Sequence, residues 1–225
     1  MQHAQRRTRI KVCCISSDAE AALAVRAGAD AVGLVGAMPS GPGILTDETA
    51  RAIALNVSPP TMPWLLTSEA TGPAIRDHAA ACAVSTVQIV RHVAPEVHDW
   101  LAAHAPALKR VQVIHVEGSE APTLMQSYGK RPHAFLLDSG RPDAAELGGT
   151  GRKHDWTVSA QCVAAVEQPV FLAGGLSPTN AADAVRGVAP FGLDVCSGLR
   201  TNESLDEALL HEFVAAVALA DRDQG

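Results

Sequence analysis

The chain has 225 residues, of which 47% are hydrophobic and 19% are charged, and its formal net charge is −6. The length excludes a mini-protein, and this apolar content predicts a globular protein with a packed core. The apolar runs are shorter than the roughly 20 residues that a transmembrane helix needs, and a negative net charge does not attract polyanions. We therefore expect no membrane span and no nucleic-acid partner.

The cysteines and histidines do not form a recognisable framework. There are five cysteines, an odd number, and none stands in a CxxC or zinc-type spacing with histidine. Free thiols are typical of a reducing compartment, so we predict a cytoplasmic protein. The nine histidines contain no HExxH motif or paired cluster. His92, His98 and His104 are interpreted as surface residues, and no metal is expected.

Short apolar, β-branched runs alternate with longer amphipathic segments along the whole chain. A helix is predicted after each strand. Ser17, Thr46, Ser177 and Ser204 are the predicted N-caps of four helices, because each hydroxyl can accept a hydrogen bond from the first helical turn. The predicted strands cover residues 9–14, 30–35, 62–67, 86–90, 110–116, 133–138, 169–173 and 191–195.

Strands that are separated by helices pair in parallel through right-handed crossovers. A doubly wound open sheet usually has five or six strands, whereas eight βα units in a chain of this length indicate a (β/α)8 barrel. We therefore predict an α/β fold of the TIM-barrel type, with eight parallel strands inside a ring of helices. No linker or low-complexity segment divides the sequence, so residues 1–225 are predicted to form one domain.

The active site of such a barrel lies at the C-terminal ends of its strands, so polar residues there are candidates. On the first strand, the two-residue period places Lys11 and Cys13 on the inward face. Asp138 ends the sixth strand, and Asp194 lies on the eighth. Alone, the cysteine is more simply a small buried hydrophobe, and each aspartate is as readily a helix cap. Together they provide the proton acceptor and donor that an isomerase needs.

Two small-residue turns follow strands seven and eight. The first contains Gly174 and Gly175, and the second contains Ser197 and Gly198. Glycine lets a ligand approach the backbone, and main-chain N–H groups near a helix start favour an anion. Barrels often bind phosphate with these two loops, so we predict that these four residues bind a phosphate group. A glycine pair alone would more simply indicate a turn.

Residues 140–156 form a long connection between strand six and the following helix. Its glycines provide hinges, and Arg152 and Lys153 can reach a phosphate or a carboxylate. We interpret this segment as a lid over the site, with a flexible exposed loop as the alternative. Its GGTG sequence lacks the preceding strand and the spacing of a dinucleotide-binding loop.

Taken together, these segments resemble the phosphoribosylanthranilate isomerase family of tryptophan biosynthesis. They fall in chain order across most of the protein. The similar stretches are KVCCI (11–15), EAALAVRAGADAVGLV (20–35), FLLDS (135–139), GGTGRKHDW (148–156), PVFLAGGLSPTN (169–180) and DVCSG (194–198).

The resemblance implies an Amadori rearrangement, in which an aminoaldose phosphate becomes an aminoketose without a cofactor. Asp138 would protonate the furanose ring oxygen, and Cys13 would remove the C2 proton. The implied partner is a small phosphorylated sugar-amine, and the implied assembly is a monomer or a homodimer. The remaining implied contacts are to the substrate, by Lys11, Asp194 and Arg152, and to its phosphate, by Gly174, Gly175, Ser197 and Gly198.

The sequence also departs from the family pattern. Gly43 stands at or near the arginine that holds the anthranilate carboxylate in the family, and Cys14 replaces a glycine. After strand four, Gln88-Ile89-Val90-Arg91 replaces Q-L-H-G. These changes concern substrate affinity more than reaction type, and Arg91 or Arg152 is the expected replacement for the lost cation.

Two alternative functions remain open at this point. One is the isomerisation of another aminoaldose phosphate, such as the related histidine-pathway intermediate. That family uses an aspartate where this chain has Cys13, which argues against it. The other alternative is a barrel that binds a phosphorylated ligand without catalysis, which the arginine-free loop after strand two favours. Fold alone does not choose between these functions.

Overall fold

In the computed structural model, which describes residues 7–38, 42–139 and 156–223, eight parallel strands close into a barrel. Each strand pairs with its neighbours in the sequence, and the last strand pairs with the first through Ile10 with Leu193 and Lys11 with Asp194. The predicted TIM-barrel fold is therefore confirmed. The strands are β1 (Arg9–Val12), β2 (Ala31–Val35), β3 (Met62–Thr67), β4 (Thr86–Ile89), β5 (Lys109–His115), β6 (Ala134–Asp138), β7 (Val170–Leu172) and β8 (Gly192–Val195).

A helix follows each barrel strand, as predicted. After β8, a 3-10 turn at Ser197–Leu199 and a two-stranded ribbon, β9 (Arg200–Thr201) with β10 (Ser204–Leu205), precede the last helix. Within the described residues, no helix has both the length and the apolar composition that crossing a bilayer requires. The helices are α1 (Asp18–Arg26), α2 (Asp47–Asn56), α3 (Gly72–Ala81), α4 (Pro95–His104), α5 (Ala121–Ser127), α6 (Trp156–Ala165), α7 (Ala181–Val188) and α8 (Glu207–Asp223).

Two of the four predicted N-caps are confirmed, and two are wrong. The side chains of Ser17 and Thr46 accept a hydrogen bond from the first turns of α1 and α2. Ser177 lies in the turn before α7, and Ser204 is engaged in the β9–β10 ribbon. The carboxylate of Asp206 instead accepts hydrogen bonds from two N–H groups of α8, at 2.9 and 3.1 Å. The spacing of a capping residue does not show whether its backbone already pairs with another segment, as that of Ser204 does in the ribbon.

The histidine prediction also needs one correction. His92 and His104 are exposed, as expected, but His98 is completely buried between α4 and β5. Its Nε2 donates a hydrogen bond to Oε1 of Gln112 at 3.0 Å, and its ring packs edge-on against Tyr128. Burial lowers the pKa of His98 to about 4. The prediction for His98 was wrong because the hydrogen-bond partner that allows its burial, Gln112, lies on a strand and is not part of the local helical pattern.

We expect His98 to make the protein less stable in acid. The unfolded chain binds a proton at this residue near pH 6.5, whereas the folded protein does so only near pH 4. Its contribution to the free energy of unfolding is therefore complete above pH 6.5 and declines by roughly 3 kcal/mol as the pH falls through this window. Denaturant unfolding at pH 7.5 and pH 4.5 gives the free energy of unfolding at each pH. Between these two pH values, His98→Gln should lose less of this free energy than the parent does. The exposed His104→Gln should behave like the parent; equal losses in all three proteins would contradict the assignment.

Candidate active site

A cavity opens at the C-terminal ends of the barrel strands, where the site was predicted. Its walls contain the thiol and both carboxylates singled out from the sequence, together with part of each small-residue turn. The predicted residues that line this cavity are Cys13, Asp138, Gly174, Gly175, Asp194 and Ser197. Gly198 follows directly in the second turn, and Lys11 lies one layer below. Arg152 falls outside the described residues, as does most of the predicted lid.

Lys11 on strand β1 and Cys13, the residue directly after the strand, face inward, as the two-residue period predicts. The Lys11 side chain is completely buried, and its Nζ lies 2.8 Å from Oδ1 of Asp194 on the neighbouring β8. Gly33 of β2 makes room for both residues, because a Cβ there would lie 2.7 Å from Sγ of Cys13 and 3.0 Å from Nζ of Lys11. A larger residue at position 33 would displace one of them.

The ion pair places a positive charge beneath the thiol. Burial lowers the pKa of Lys11, but the Asp194 carboxylate and the Cys13 sulfur outweigh it, and the pKa is raised above its ordinary value. Burial raises the pKa of Asp194, and the charge of Asp138 raises it further. Lys11 acts in the opposite direction and lowers it. Lys11 therefore remains an ammonium ion in the barrel interior. Its positive charge interacts with the Cys13 sulfur as well as with the Asp194 carboxylate.

Asp138 occupies the last position of β6, half-buried at the cavity wall. Its Oδ1 accepts a hydrogen bond from the main-chain N–H of Ser139 at 2.7 Å. This bond orients the carboxyl group at the strand end, on the same cavity as Cys13. The structure therefore brings together the acid and the base predicted from two strands that are far apart in the sequence.

The turns after β7 and β8 touch each other at the cavity rim. Gly174 and Gly175 have φ angles of 86° and 64°, in the left-handed region that favours glycine. A Cβ on Gly198 would lie only 1.9 Å from the carbonyl oxygen of Leu176, so only glycine allows this approach. The two turns thus form one continuous surface of backbone.

A residue that the sequence analysis did not select holds the first of these turns in shape. The buried Asn180 donates from Nδ2 to the carbonyl of Gly175 and accepts at Oδ1 from the N–H of Ser177, both at 2.9 Å. Asn180, not Ser177, is the N-cap residue of α7, but its side chain braces this turn and makes no capping hydrogen bond to the helix. The PTN sequence at 178–180 contains no cap spacing that would have indicated this role.

Two further polar residues of the cavity were missed. Gln88 within β4 and His115 at the end of β5 are buried and line the cavity. Nε2 of His115 donates to the carbonyl of Val90 at 3.0 Å. Oε1 of Gln88 and Nδ1 of His115 have no hydrogen-bond partner among the described residues. The rule that selected Asp138, a polar side chain at a strand end, would have found His115 but not Gln88, which lies inside its strand.

The structure links two of the departures from the family pattern. Gly43 has a φ of 71°, and a Cβ there would lie 3.1 Å from Cβ of Cys14. The side chain of Cys14 thus fills space that a larger residue at position 43 would need. Arg91, an expected replacement for the missing arginine, is exposed and does not line the cavity. The position of Arg91 therefore does not support a role for it as a substrate contact.

Cys14 also forms a pair of thiols at the cavity with Cys196. Its Sγ lies 2.6 Å from Sγ of Cys196, which follows β8. Hydrogen bonds to Cys13 and Cys196, together with burial, raise the pKa of Cys14. The hydrogen bond from Cys14 and the charge of Arg200 lower the pKa of Cys196. The neighbouring sulfurs and burial therefore favour the protonated form of Cys14.

A closed (β/α)8 barrel with polar groups converging at its strand ends belongs to the class of barrel enzymes that act on small molecules at that face. Comparison with known proteins defines the family. Residues 10–216 match the family model described as N-(5'phosphoribosyl)anthranilate (PRA) isomerase. The chain belongs to this family, and the resemblance seen in the sequence is confirmed.

Individual relatives agree with this assignment. The N-(5'-phosphoribosyl)anthranilate isomerase of Halobacterium salinarum is 38% identical over 222 residues, which cover 92% of this chain and 94% of the relative. The crystal structure of phosphoribosyl anthranilate isomerase from Thermus thermophilus is 25% identical, with a TM-score of 0.80 over 94% of this chain and 99% of that one. A second solved isomerase, in complex with reduced 1-(o-carboxyphenylamino)-1-deoxyribulose 5-phosphate, shares the fold at 23% identity, with a TM-score of 0.77 over 94% of this chain and 98% of the other.

Proposed function

We propose that this protein converts N-(5'-phosphoribosyl)anthranilate into its aminoketose isomer by an Amadori rearrangement, a step of tryptophan biosynthesis. The observation that carries the proposal is that Cys13 and Asp138 line one cavity, beside the two glycine-containing turns. One solved relative holds a reduced form of a carboxyphenylamino-deoxyribulose 5-phosphate. A ligand of that class has the phosphate and sugar groups that this cavity would receive.

The first step requires an acid. The carboxyl group of Asp138, protonated, gives its proton to the furanose ring oxygen, and the bond from C1 to that oxygen breaks. The nitrogen lone pair forms the C1–N double bond, so that the open sugar is a Schiff base. The half-buried position of Asp138 at the cavity wall suits this role.

The second step requires a base. The Cys13 thiolate takes the C2 proton, the C2–H electrons form the C1–C2 double bond, and the positive charge on nitrogen is neutralised. The resulting enolamine tautomerises to the ketone. Lys11 is completely buried and paired with Asp194, so we propose that it positions Asp194 and places a positive charge beneath Cys13 rather than touching the substrate.

The remaining residues bind the substrate. The main chain at Gly174, Gly175, Ser197 and Gly198 would receive the phosphate, since these turns form one surface at the rim. Asp194, Gln88 and His115 offer acceptors toward the cavity and would hold the sugar hydroxyls. Arg152 remains a proposed contact of the substrate.

The free state of all five cysteines supports a reducing, cytoplasmic location, which we also propose. We further propose that residues 1–225 act as one domain and that the reaction needs no cofactor, because an acid and a base suffice for its proton transfers.

The test is to follow the loss of substrate fluorescence with purified protein. We expect turnover of N-(5'-phosphoribosyl)anthranilate and no turnover of the corresponding histidine-pathway aminoaldose phosphate. Turnover of only the second compound would assign the protein to that reaction. Binding of the first compound without turnover would support a barrel that binds its ligand without catalysis.

A further inference from the structure

A group of three potential metal ligands lies away from the active-site cavity, among the residues that the structure describes. Asp47 is the first residue of α2, and Cys82 directly follows α3, four residues after His78. This spacing places His78 and Cys82 on one face of α3. One carboxylate oxygen, one imidazole nitrogen and the sulfur all lie within 4.8 Å of one another.

The His78 ring is held in the orientation that a metal ligand requires. Its Nδ1 lies 2.9 Å from Oγ1 of Thr67 at the end of β3, and its side chain is 9% exposed. Its Nε2 is 3.2 Å from Oδ1 of Asp47, but the two atoms are not aligned for a hydrogen bond, and Nε2 has no partner among the described residues. Metal-binding histidines usually have their other ring nitrogen hydrogen-bonded in this way.

The backbone of β2 leaves the space for this ring. A Cβ on Gly36, the residue after β2, would lie 2.6 Å from Cε1 and 2.7 Å from Nε2 of His78. The imidazole is therefore confined between strand ends, with its unpaired nitrogen next to Asp47. An unpaired buried nitrogen beside a carboxylate is unfavourable unless a proton or cation joins them.

We propose that Asp47, His78 and Cys82 bind one zinc ion, with water as the fourth ligand. Zinc takes nitrogen, oxygen and sulfur donors in a tetrahedron, where bonds of about 2.0 to 2.3 Å place neighbouring donors roughly 3.3 to 3.8 Å apart. The oxygen and nitrogen are already 3.2 Å apart, so binding requires mainly a movement of the Cys82 sulfur by at most roughly 1 to 1.5 Å. Asp47 is 44% exposed, which leaves solvent access for the ion and the water.

The thiol must give up a proton when zinc binds. Burial and the Asp47 carboxylate raise the pKa of Cys82 to about 12, so without metal the thiol keeps its proton. Zinc replaces that proton: the S–H bond breaks, a Zn–S bond forms and H⁺ leaves to solvent. The bound ion would join α2 to α3 and stabilise the contact between them.

The experiment uses the full chain, stripped with a chelator and titrated with zinc or cobalt. We expect one zinc ion to remain per chain after desalting and the melting temperature to rise by several degrees in excess zinc. The cobalt form should show the visible bands of tetrahedral Co²⁺ and a thiolate charge-transfer band. Asp47→Asn, at a partly exposed position, should weaken zinc binding at least tenfold, and Cys82→Ala should remove the charge-transfer band.

Two control variants separate this site from the other thiols. Cys196→Ser tests metal capture at the cavity sulfurs, and Cys162→Ala tests the buried thiol of α6. Both should keep the cobalt bands and zinc stoichiometry of the parent. The proposal is wrong if the parent retains no zinc, if the charge-transfer band survives Cys82→Ala, or if Cys196→Ser removes it. These readouts do not depend on isomerase activity, so the proposed function can fail or hold separately.

Discussion

Replacing Cys13 by serine is expected to lower kcat by roughly a hundredfold to ten-thousandfold, the range in which general bases contribute. Serine has nearly the same shape, but its hydroxyl does not ionise near neutral pH even above the Lys11 ammonium. KM should change little, because the turns after β7 and β8 are untouched. Steady-state kinetics with the fluorescent substrate measures both quantities.

The matched control for this variant is Cys162→Ala, which removes a thiol buried in α6. It should retain the kcat of the parent, although it loses some stability. An unchanged kcat in Cys13→Ser would assign the C2 proton to another base, for which the cavity thiol Cys196, whose pKa is lowered, would be the next to test.

Replacing Asp138 by asparagine is expected to reduce kcat by a similar factor, roughly a hundredfold to ten-thousandfold, because ring opening loses its proton donor. The amide oxygen can still accept the hydrogen bond that the carboxylate receives from the N–H of Ser139 at 2.7 Å. The strand end should therefore keep its shape, and a loss of activity would reflect chemistry rather than folding. Single-turnover kinetics would separate ring opening from product release.

The control is Asp99→Asn, which neutralises an exposed carboxylate of α4 paired with Arg131. Its kcat should equal that of the parent, and melting curves should show that both variants fold. Full activity in Asp138→Asn would remove this residue from the mechanism and leave Asp194 as the acidic group to examine.

Much of the site was predictable because it follows from position within strands. The two-residue period placed Lys11 and Cys13 inside the barrel, and the end of β6 placed Asp138 at the cavity. The same rule points to His115 at the end of β5, whereas Gln88 lies inside β4, and its place in the cavity depends on the closed barrel.

Other features depended on contacts that no local pattern contains. Ser204 has the spacing of a helix cap but pairs with Thr201 in a ribbon. His98 was assigned to the surface because its hydrogen-bond partner, Gln112, lies on another element. Sequence periodicity reports which face of one element is apolar, and it does not report which polar group lies opposite.

The amino-acid order by itself determined the alternation of strands and helices, the closed barrel and the face on which catalytic groups converge. These depend on periodicity and turn residues within short segments. Only the tertiary structure decided that Gly33 makes room for Lys11 and Cys13, that Cys14 fills the space beside Gly43, and that Asp47 meets His78 and Cys82. Such contacts join residues from different strands and helices, and their distances exist only once the barrel has closed.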